Sequence, residues 1–230
     1  VAVTYTNNDY GKGLADVYAA AAKAHGITVT IVAAHEDGKA DYSAEVATLA
    51  SAGGDAIAVI GYLDQGGKGI IQGALDSGAF DKFILSDGMI GDSLTDAFGK
   101  SLNKSFGSLP GSTGKGAGVF ATVAGDAGID PSGPYTGESY DAAALIVLAM
   151  QASGSADRKG IADNVMAVAN APGKKIYPGQ LKKALDLLAK GKAVDYEGAT
   201  GVMFTEVGEA EGSFLEQEIK GGKFKTKKQR

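Results

Sequence analysis

The chain has 230 residues, of which 44% are hydrophobic and 21% are charged, and it contains no cysteine. This composition is typical of a folded protein of one or two domains, and it excludes disulfides and thiolate zinc sites. The net charge of −5 argues against a nucleic-acid partner, because nucleic acid requires a basic surface. No apolar run is long enough to span a bilayer, and no signal peptide is visible.

The first part of the chain alternates strand-like and helix-like segments with a period of roughly thirty residues, the length of a βαβ unit. Strands are predicted at residues 1–5, 27–34, 55–61 and 82–86, and helices at about 9–25, 43–53 and 65–77, with Asp9 as the cap of the first helix. The unbroken apolar run Phe83–Leu85 is typical of a parallel strand that is buried on both faces. The alternation therefore predicts an α/β fold with a parallel sheet and right-handed crossovers.

The second part of the chain is less regular. A glycine- and serine-rich stretch at 99–118 predicts a loop or irregular strand, Val119–Ala124 predicts a further strand, and Asp130–Pro134 predicts a crossover or boundary. The remaining predicted elements are helices at 93–98, 139–151, 156–169 and 178–190, a strand at 202–205, and a hairpin at 213–226.

Three side chains are expected to meet at one edge of the predicted sheet. Tyr10, Tyr62 and Asp87 each follow a strand of the parallel sheet, and ligands bind beyond the carboxyl ends of such strands. A carboxylate and two phenol rings suit a small ligand that carries an ammonium group. The alternative is that Asp87 is a helix cap and that the tyrosines are ordinary packing residues.

The other motifs do not indicate an enzyme. Gly11-Lys12-Gly13 and Gly111–Gly116 are incomplete matches to dinucleotide and phosphate loops, so no cofactor is predicted. The adjacent residues His35–Asp37 cannot all converge on one ion from an extended chain, so no metal site is predicted. No serine lies in a nucleophile motif, and no catalytic residue is predicted.

A set of short motifs resembles one known family. In order, these motifs are Asn8–Ala15, Asp41–Ser43, Gly61-Tyr62, Ser86–Gly88, Asp130–Tyr135 and Tyr140–Ala142. Over nearly its whole length the chain resembles the latter part of a type I periplasmic solute-binding protein of ABC transporters, in the branched-chain amino acid (Leu/Ile/Val) receptor family. The specificity of this resemblance lies in the order and spacing of the motifs.

The resemblance implies two α/β lobes that are joined by a three-stranded hinge and close on a ligand. Residues 1–125 are then expected to form most of the second, C-terminal lobe, and 126–203 the helical remainder of the first lobe. Residues 204–230 would be a hairpin that returns to the second lobe. We also expect the opening half of the first lobe to precede Val1, which would make this chain the C-terminal part of a longer receptor.

The resemblance also implies the roles of the candidate residues. Tyr10 and Tyr62 would line the pocket, and Asp87, where relatives often have glutamate, would bind the ammonium group of the ligand. The expected protein is a periplasmic receptor, without a cofactor, that delivers an amino acid or related amino compound to ABC permease subunits.

Two alternatives and one open question accompany this reading. The alternatives are a ligand-sensing domain of the same fold in a receptor or regulator, and an α/β enzyme that uses nicotinamide or phosphate. The incomplete glycine motifs disfavour the enzyme. The open question is what covers the first-lobe helices, which carry Leu145 and Leu148; a dimer or a retained N-terminal fragment is expected to cover them.

Overall fold

The computed structural model describes residues 1–230, which form two compact units. Unit 1 comprises Val1–Leu109 and Glu216–Lys228, and unit 2 comprises Pro110–Leu215 and Gln229–Arg230. The lobe boundaries expected near residues 125 and 203 stay a prediction.

The secondary structure consists of eleven strands and eight α-helices. The strands are β1 (Ala2–Thr6), β2 (Ile31–His35), β3 (Ile57–Ile60), β4 (Phe83–Leu85), β5 (Phe106–Pro110), β6 (Lys174–Ile176), β7 (Val194–Tyr196), β8 (Met203–Phe204), β9 (Ala210–Glu211), β10 (Phe214–Ile219) and β11 (Phe224–Gln229). The helices are α1 (Asp9–Ala24), α2 (Ser43–Ala52), α3 (Lys68–Asp76), α4 (Asp92–Phe98), α5 (Lys115–Asp126), α6 (Thr136–Ser153), α7 (Arg158–Ala169) and α8 (Leu181–Leu188). None of these helices combines the length and the apolarity that crossing a membrane requires.

Seven strands form one sheet in the order β11-β10-β5-β4-β3-β1-β2. The pairs from β2 to β5 are all parallel, with Val3 opposite Val32 and Ala58, and Val59 opposite Leu85. Every residue of β3 is buried, as expected for a central strand that is covered on both faces. The predicted α/β fold with a mostly parallel sheet is confirmed.

The N-terminal cap of the first helix lies one residue earlier than predicted. The cap is Asn8, whose side-chain oxygen accepts a hydrogen bond from the amide of Gly11 at 2.9 Å, and Asp9 is the first helical residue. Gly11 lies against the end of β1, where a Cβ would overlap the carbonyl oxygen of Thr6. The glycine that resembled part of a dinucleotide loop is therefore explained by close packing between helix and strand.

One prediction for the second half of the chain is wrong, and two strands were not predicted. Val119–Ala124 lies inside helix α5 rather than in a strand, because Phe120 and Ala124, four residues apart, pack together against Ala199 and Tyr140. The short parallel strands β6 and β7 were not predicted, because three residues each give too short a pattern to recognise.

Helices α6, α7 and α8 pack with β6 and β7 around the core of unit 2. The buried residues of this core are Ala144, Leu145, Leu148, Ala149, Val168, Ala169, Ile176, Ala184, Val194 and Tyr196. The three helices were predicted from their apolar spacing, and their presence is confirmed. The expectation that a dimer or another fragment covers Leu145 and Leu148 is wrong, because both side chains are buried in this core.

A buried carboxylate organises one end of this core. Asp141 is 2% exposed and accepts hydrogen bonds from the Tyr196 hydroxyl at 2.9 Å and from the Ala199 amide at 2.8 Å. It also accepts from the amide and the hydroxyl of Thr200, both at 2.8 Å. Asp141 thus connects α6 to the segment after β7, where Gly198 has a positive φ of 57° and leaves no room for a Cβ beside the carboxylate.

We predict that Asp141→Ala strongly destabilises the chain. The substitution leaves four donors without their acceptor, and disrupting a buried charged network of this kind costs about 3–5 kcal/mol. Urea unfolding measures the loss. Asp186→Ala is the control, because Asp186 is an exposed partner of Lys182 on α8 and its loss should leave the midpoint nearly unchanged. Equal effects of the two substitutions would contradict this account of unit 2.

Candidate functional site

The carboxyl edge of the sheet in unit 1 carries the candidate site. β1 ends at Thr6, β3 at Ile60 and β4 at Leu85, and because these neighbours are parallel, the segments that follow them lie at one edge. Helix α1 begins immediately after β1 and places Tyr10 in its first turn. Tyr62 follows β3, and Asp87 opens a short 3₁₀ turn after β4.

The structure brings the three predicted residues into contact. The rings of Tyr10 and Tyr62 are stacked, with 5.3 Å between their centroids and an interplanar angle of 28°. The Tyr10 hydroxyl donates a hydrogen bond to Oδ1 of Asp87 at 2.7 Å. All three side chains are partly exposed, so the cluster is open to a small molecule. Its role in binding a ligand stays a prediction.

The Tyr10 hydroxyl is held in its protonated form. Burial raises the pKa of this hydroxyl well above its ordinary value, and the neighbouring Asp87 carboxylate raises it further. Tyr10 therefore keeps its proton near neutral pH and can donate it to Asp87. The cluster presents aromatic faces and a negative charge, which are features that attract a cation.

Close backbone approaches hold the Asp87 turn in place. A Cβ at Gly88 would overlap the carbonyl oxygen of Gly61 and lie 3.2 Å from Cδ1 of Tyr62. A Cβ at Gly67 would overlap the sulfur of Met89, which is fully buried. Only glycine allows the segment after β3 and the segment after β4 to pack this closely, so these glycines bring Tyr62 and Asp87 together.

Sequence reasoning missed Ser86. Its Oγ lies 3.1 Å from the Tyr10 hydroxyl and accepts a hydrogen bond from the Gly61 amide at 3.3 Å. Ser86 directly precedes Asp87 in a motif that was used only for the resemblance, and its position at the end of a buried strand was the available signal.

His35 and Tyr42 were not assigned to the site, but they pack beside it. His35 is 1% exposed, and its Nδ1 is 2.8 Å from the hydroxyl of Thr4. The Tyr42 hydroxyl lies 3.0 Å from the carbonyl oxygen of Glu36 and 3.1 Å from that of Gln65, so it connects the segments after β2 and β3. His35 thus belongs to the packed interior, and its neighbours Glu36 and Asp37 are exposed.

The second glycine-rich motif has a packing role. Gly116 lies in the first turn of α5, where a Cβ would overlap the carbonyl oxygen of Gly198, and both residues belong to unit 2. Among the described residues, no group of three or more histidine, aspartate or glutamate side chains could hold a metal ion.

Curated relatives match part of the chain, and no protein-family model matches it. "Leu/Ile/Val-binding protein homolog 1" of Brucella melitensis is 30% identical over 165 residues, which are 70% of this chain and 44% of that protein. "Chemotactic signal transduction system substrate-binding protein BasB" of Halobacterium salinarum is 39% identical over 71 residues, which are 31% of this chain and 17% of that protein.

Solved structures match the fold over almost all of the chain. The leucine-binding protein LivK of Thermotoga maritima has a TM-score of 0.74 at 21% identity, over 99% of this chain and 59% of that one. The branched-chain amino acid transporter substrate-binding protein LivJ of Streptococcus pneumoniae, in complex with isoleucine, has a TM-score of 0.70 at 19% identity. That match covers 98% of this chain and 58% of LivJ.

The chain has the type I periplasmic binding protein fold, and over part of its length it is similar to a Leu/Ile/Val-binding protein homolog. The resemblance stated from the sequence is confirmed. The names of these relatives describe substrate-binding proteins rather than enzymes. The chain spans less than two thirds of the length of each.

We predict that Gly88→Ala disturbs this site of the type I fold. The added methyl group has to displace backbone rather than a flexible side chain, and overpacking of this kind costs about 1–3 kcal/mol. Gly91→Ala is the matched control, because its Cβ would meet only Cδ1 of Leu63, at 2.8 Å. Urea unfolding compares the two variants, and equal stability would contradict the close approach of Gly88 to Gly61.

We also predict that His35 makes stability depend on pH. Burial lowers the pKa of His35 below its ordinary value, although Asp37, Glu45 and Glu36 act in the opposite direction. As the pH falls through the unfolded-state pKa of about 6.5, the unfolded chain takes up a proton that folded His35 does not. Stability therefore decreases as the pH falls below that value, by at most about 1.4 kcal/mol per pH unit from this group.

Unfolding midpoints at about pH 7.5 and about pH 5.5, on the two sides of the ordinary histidine pKa, test the prediction. His35→Gln should show a smaller decrease than the unsubstituted chain, whereas His25→Gln should behave like the unsubstituted chain, because His25 is exposed. A decrease that is identical in all three proteins would show that His35 does not contribute.

Proposed function

We propose that the cluster of Tyr10, Tyr62 and Asp87 binds the ammonium group of an amino acid or a related small amino compound. The whole protein then acts as a periplasmic receptor of an ABC importer. The observation that carries this proposal is the Asp87 carboxylate, held by Tyr10 beside two stacked aromatic rings at the carboxyl edge of a parallel sheet.

The chemistry of the cluster favours a cationic nitrogen. An ammonium group placed against Asp87 forms charge-assisted hydrogen bonds, and the faces of Tyr10 and Tyr62 add a cation–π attraction. A carboxylic acid without an amino group would bring an apolar or a negative group against the carboxylate. Such a contact desolvates the charge of Asp87 and returns no interaction, so it is unfavourable.

The relatives support the same class of ligand. One relative is named for binding leucine, isoleucine and valine, and one structure of the same fold contains isoleucine. The fold likeness alone, at 21% identity or less for these structures, does not transfer a ligand. Hinge closure around the ligand, the permease partner and the periplasmic location stay predictions within this proposal.

A sensor is the second candidate function. The Halobacterium relative is named as the substrate-binding protein of a chemotactic signal transduction system. A sensor would bind the same ligand through the same cluster but pass the signal to a receptor rather than deliver cargo. Measuring ligand uptake in cells that lack the gene separates the two functions, because only the importer hypothesis predicts that uptake is lost.

A thermal-shift screen of the full-length protein tests the ligand class. The compounds are amino acids and the matched carboxylic acids that lack the amino group. A ligand at a hundred times its dissociation constant adds about 2.7 kcal/mol of stability, which gives a clear rise in the melting temperature. A response to the amino compounds alone is expected. A response only to the acids without nitrogen would contradict the proposal.

We predict that Asp87→Ala weakens binding of the amino ligand in the full-length protein by about 2–5 kcal/mol, as expected when one partner is removed from a charge pair that the bound ligand buries. Titration calorimetry measures this loss. Asp96→Ala is the control, because Asp96 is an exposed carboxylate of α4 outside the cluster. Unchanged affinity in Asp87→Ala would move the ammonium site elsewhere.

A further inference from the structure

We propose that Ser86 is a positioning residue that directs the proton of Tyr10 toward Asp87. In this arrangement the Tyr10 hydroxyl orients the carboxylate, and only the ring of Tyr10 contacts a ligand. The part of the inference that concerns the ligand rests on the function proposed above; the part that concerns the hydrogen bonds does not.

The Tyr10 hydroxyl has more oxygen neighbours than protons. The hydroxyl has one proton and two oxygen neighbours, Asp87 Oδ1 at 2.7 Å and Ser86 Oγ at 3.1 Å. An ionised carboxylate only accepts hydrogen bonds, so the Tyr10 proton lies on the shorter contact, to Asp87. Tyr10 has no second proton for Ser86, so a hydrogen bond between these two hydroxyls requires the serine to be the donor.

The backbone fixes the serine in this orientation. The Gly61 amide donates to Ser86 Oγ at 3.3 Å, which occupies one lone pair of the serine and leaves its proton for Tyr10. The result is a continuous chain of donors, from the Gly61 amide through the hydroxyls of Ser86 and Tyr10 to the carboxylate of Asp87. Chains of this kind polarise and strengthen each successive hydrogen bond.

The Tyr10 hydroxyl is engaged inside the cluster. Its proton lies on the contact to Asp87, and its oxygen accepts the proton of Ser86. A ligand therefore meets the aromatic face of Tyr10, whereas its polar group meets Asp87.

Double-mutant cycles on the unfolding of the 230-residue chain test this chain of hydrogen bonds without any ligand. Tyr10→Phe, Asp87→Ala and their double variant give the coupling between the two residues, first with Ser86 present and then in Ser86→Ala. We expect a coupling of about fivefold or more in the unfolding equilibrium constant, the size typical of one hydrogen-bond network, and a clear decrease of that coupling in Ser86→Ala.

The coupling separates positioning from ordinary packing. A serine that only fills space would lower the stability when replaced, but it would leave the coupling between Tyr10 and Asp87 unchanged, and that result would overturn the proposal. Ser86→Thr, which keeps the hydroxyl, should retain the coupling. Ser77→Ala is the matched serine control, because Ser77 bonds the backbone at the end of α3 and lies outside the cluster.

Binding of L-isoleucine to the full-length protein tests the ligand part of the inference. Tyr10→Phe should weaken binding when Asp87 is present and have no further effect in Asp87→Ala, whereas a direct bond from Tyr10 to the ligand would give additive losses and contradict the inference. Tyr18→Phe, on the same helix, is the control for the loss of a tyrosine hydroxyl. A failure of the proposed ligand class would remove binding from every protein tested, but it would leave the unfolding couplings as predicted.

Discussion

The hydrogen bond from Tyr10 to Asp87 joins the first turn of helix α1 to the turn that follows strand β4. It exists because β1, β3 and β4 are parallel and in register, so that the segments after them meet at one edge of the sheet. A shift of any of these strands by one residue would turn its side chains to the other face and separate the two partners. The register of the buried strands is therefore the condition on which the site depends.

Glycines allow the segments at this edge of the sheet to approach one another closely. Gly11 lets α1 begin directly against β1, and Gly88 lets the Asp87 turn lie directly on Gly61. The buried strand β3, between β1 and β4 in the sheet, fixes the position of Gly61 itself. Backbone packing thus brings the residues of the cluster together. Its few polar side chains then form hydrogen bonds with the backbone and with one another. Such a site is held in place before any ligand arrives, which reduces the entropy lost on binding.

The sequence predicted the parts of the structure that repeat along the chain. The alternation of strands and helices, the apolar run Phe83–Leu85 and the position of Tyr10, Tyr62 and Asp87 after their strands follow from patterns that several residues share. Helix α5 was mistaken for a strand because its glycines hide the four-residue spacing of Phe120 and Ala124. The hydrogen-bond partners of Ser86 and Asp141 lie in distant segments of the chain, so a local sequence pattern does not identify these partners.

The central claim is that Asp87 binds a cationic nitrogen of the ligand. A crystal structure of the full-length protein with a bound compound from the screen tests this claim most directly. The account predicts a ligand nitrogen at about 2.7–2.9 Å from the Asp87 carboxylate, with the stacked rings of Tyr10 and Tyr62 beside it. A ligand whose nitrogen lies away from Asp87, or a bound acid without nitrogen, would contradict the account.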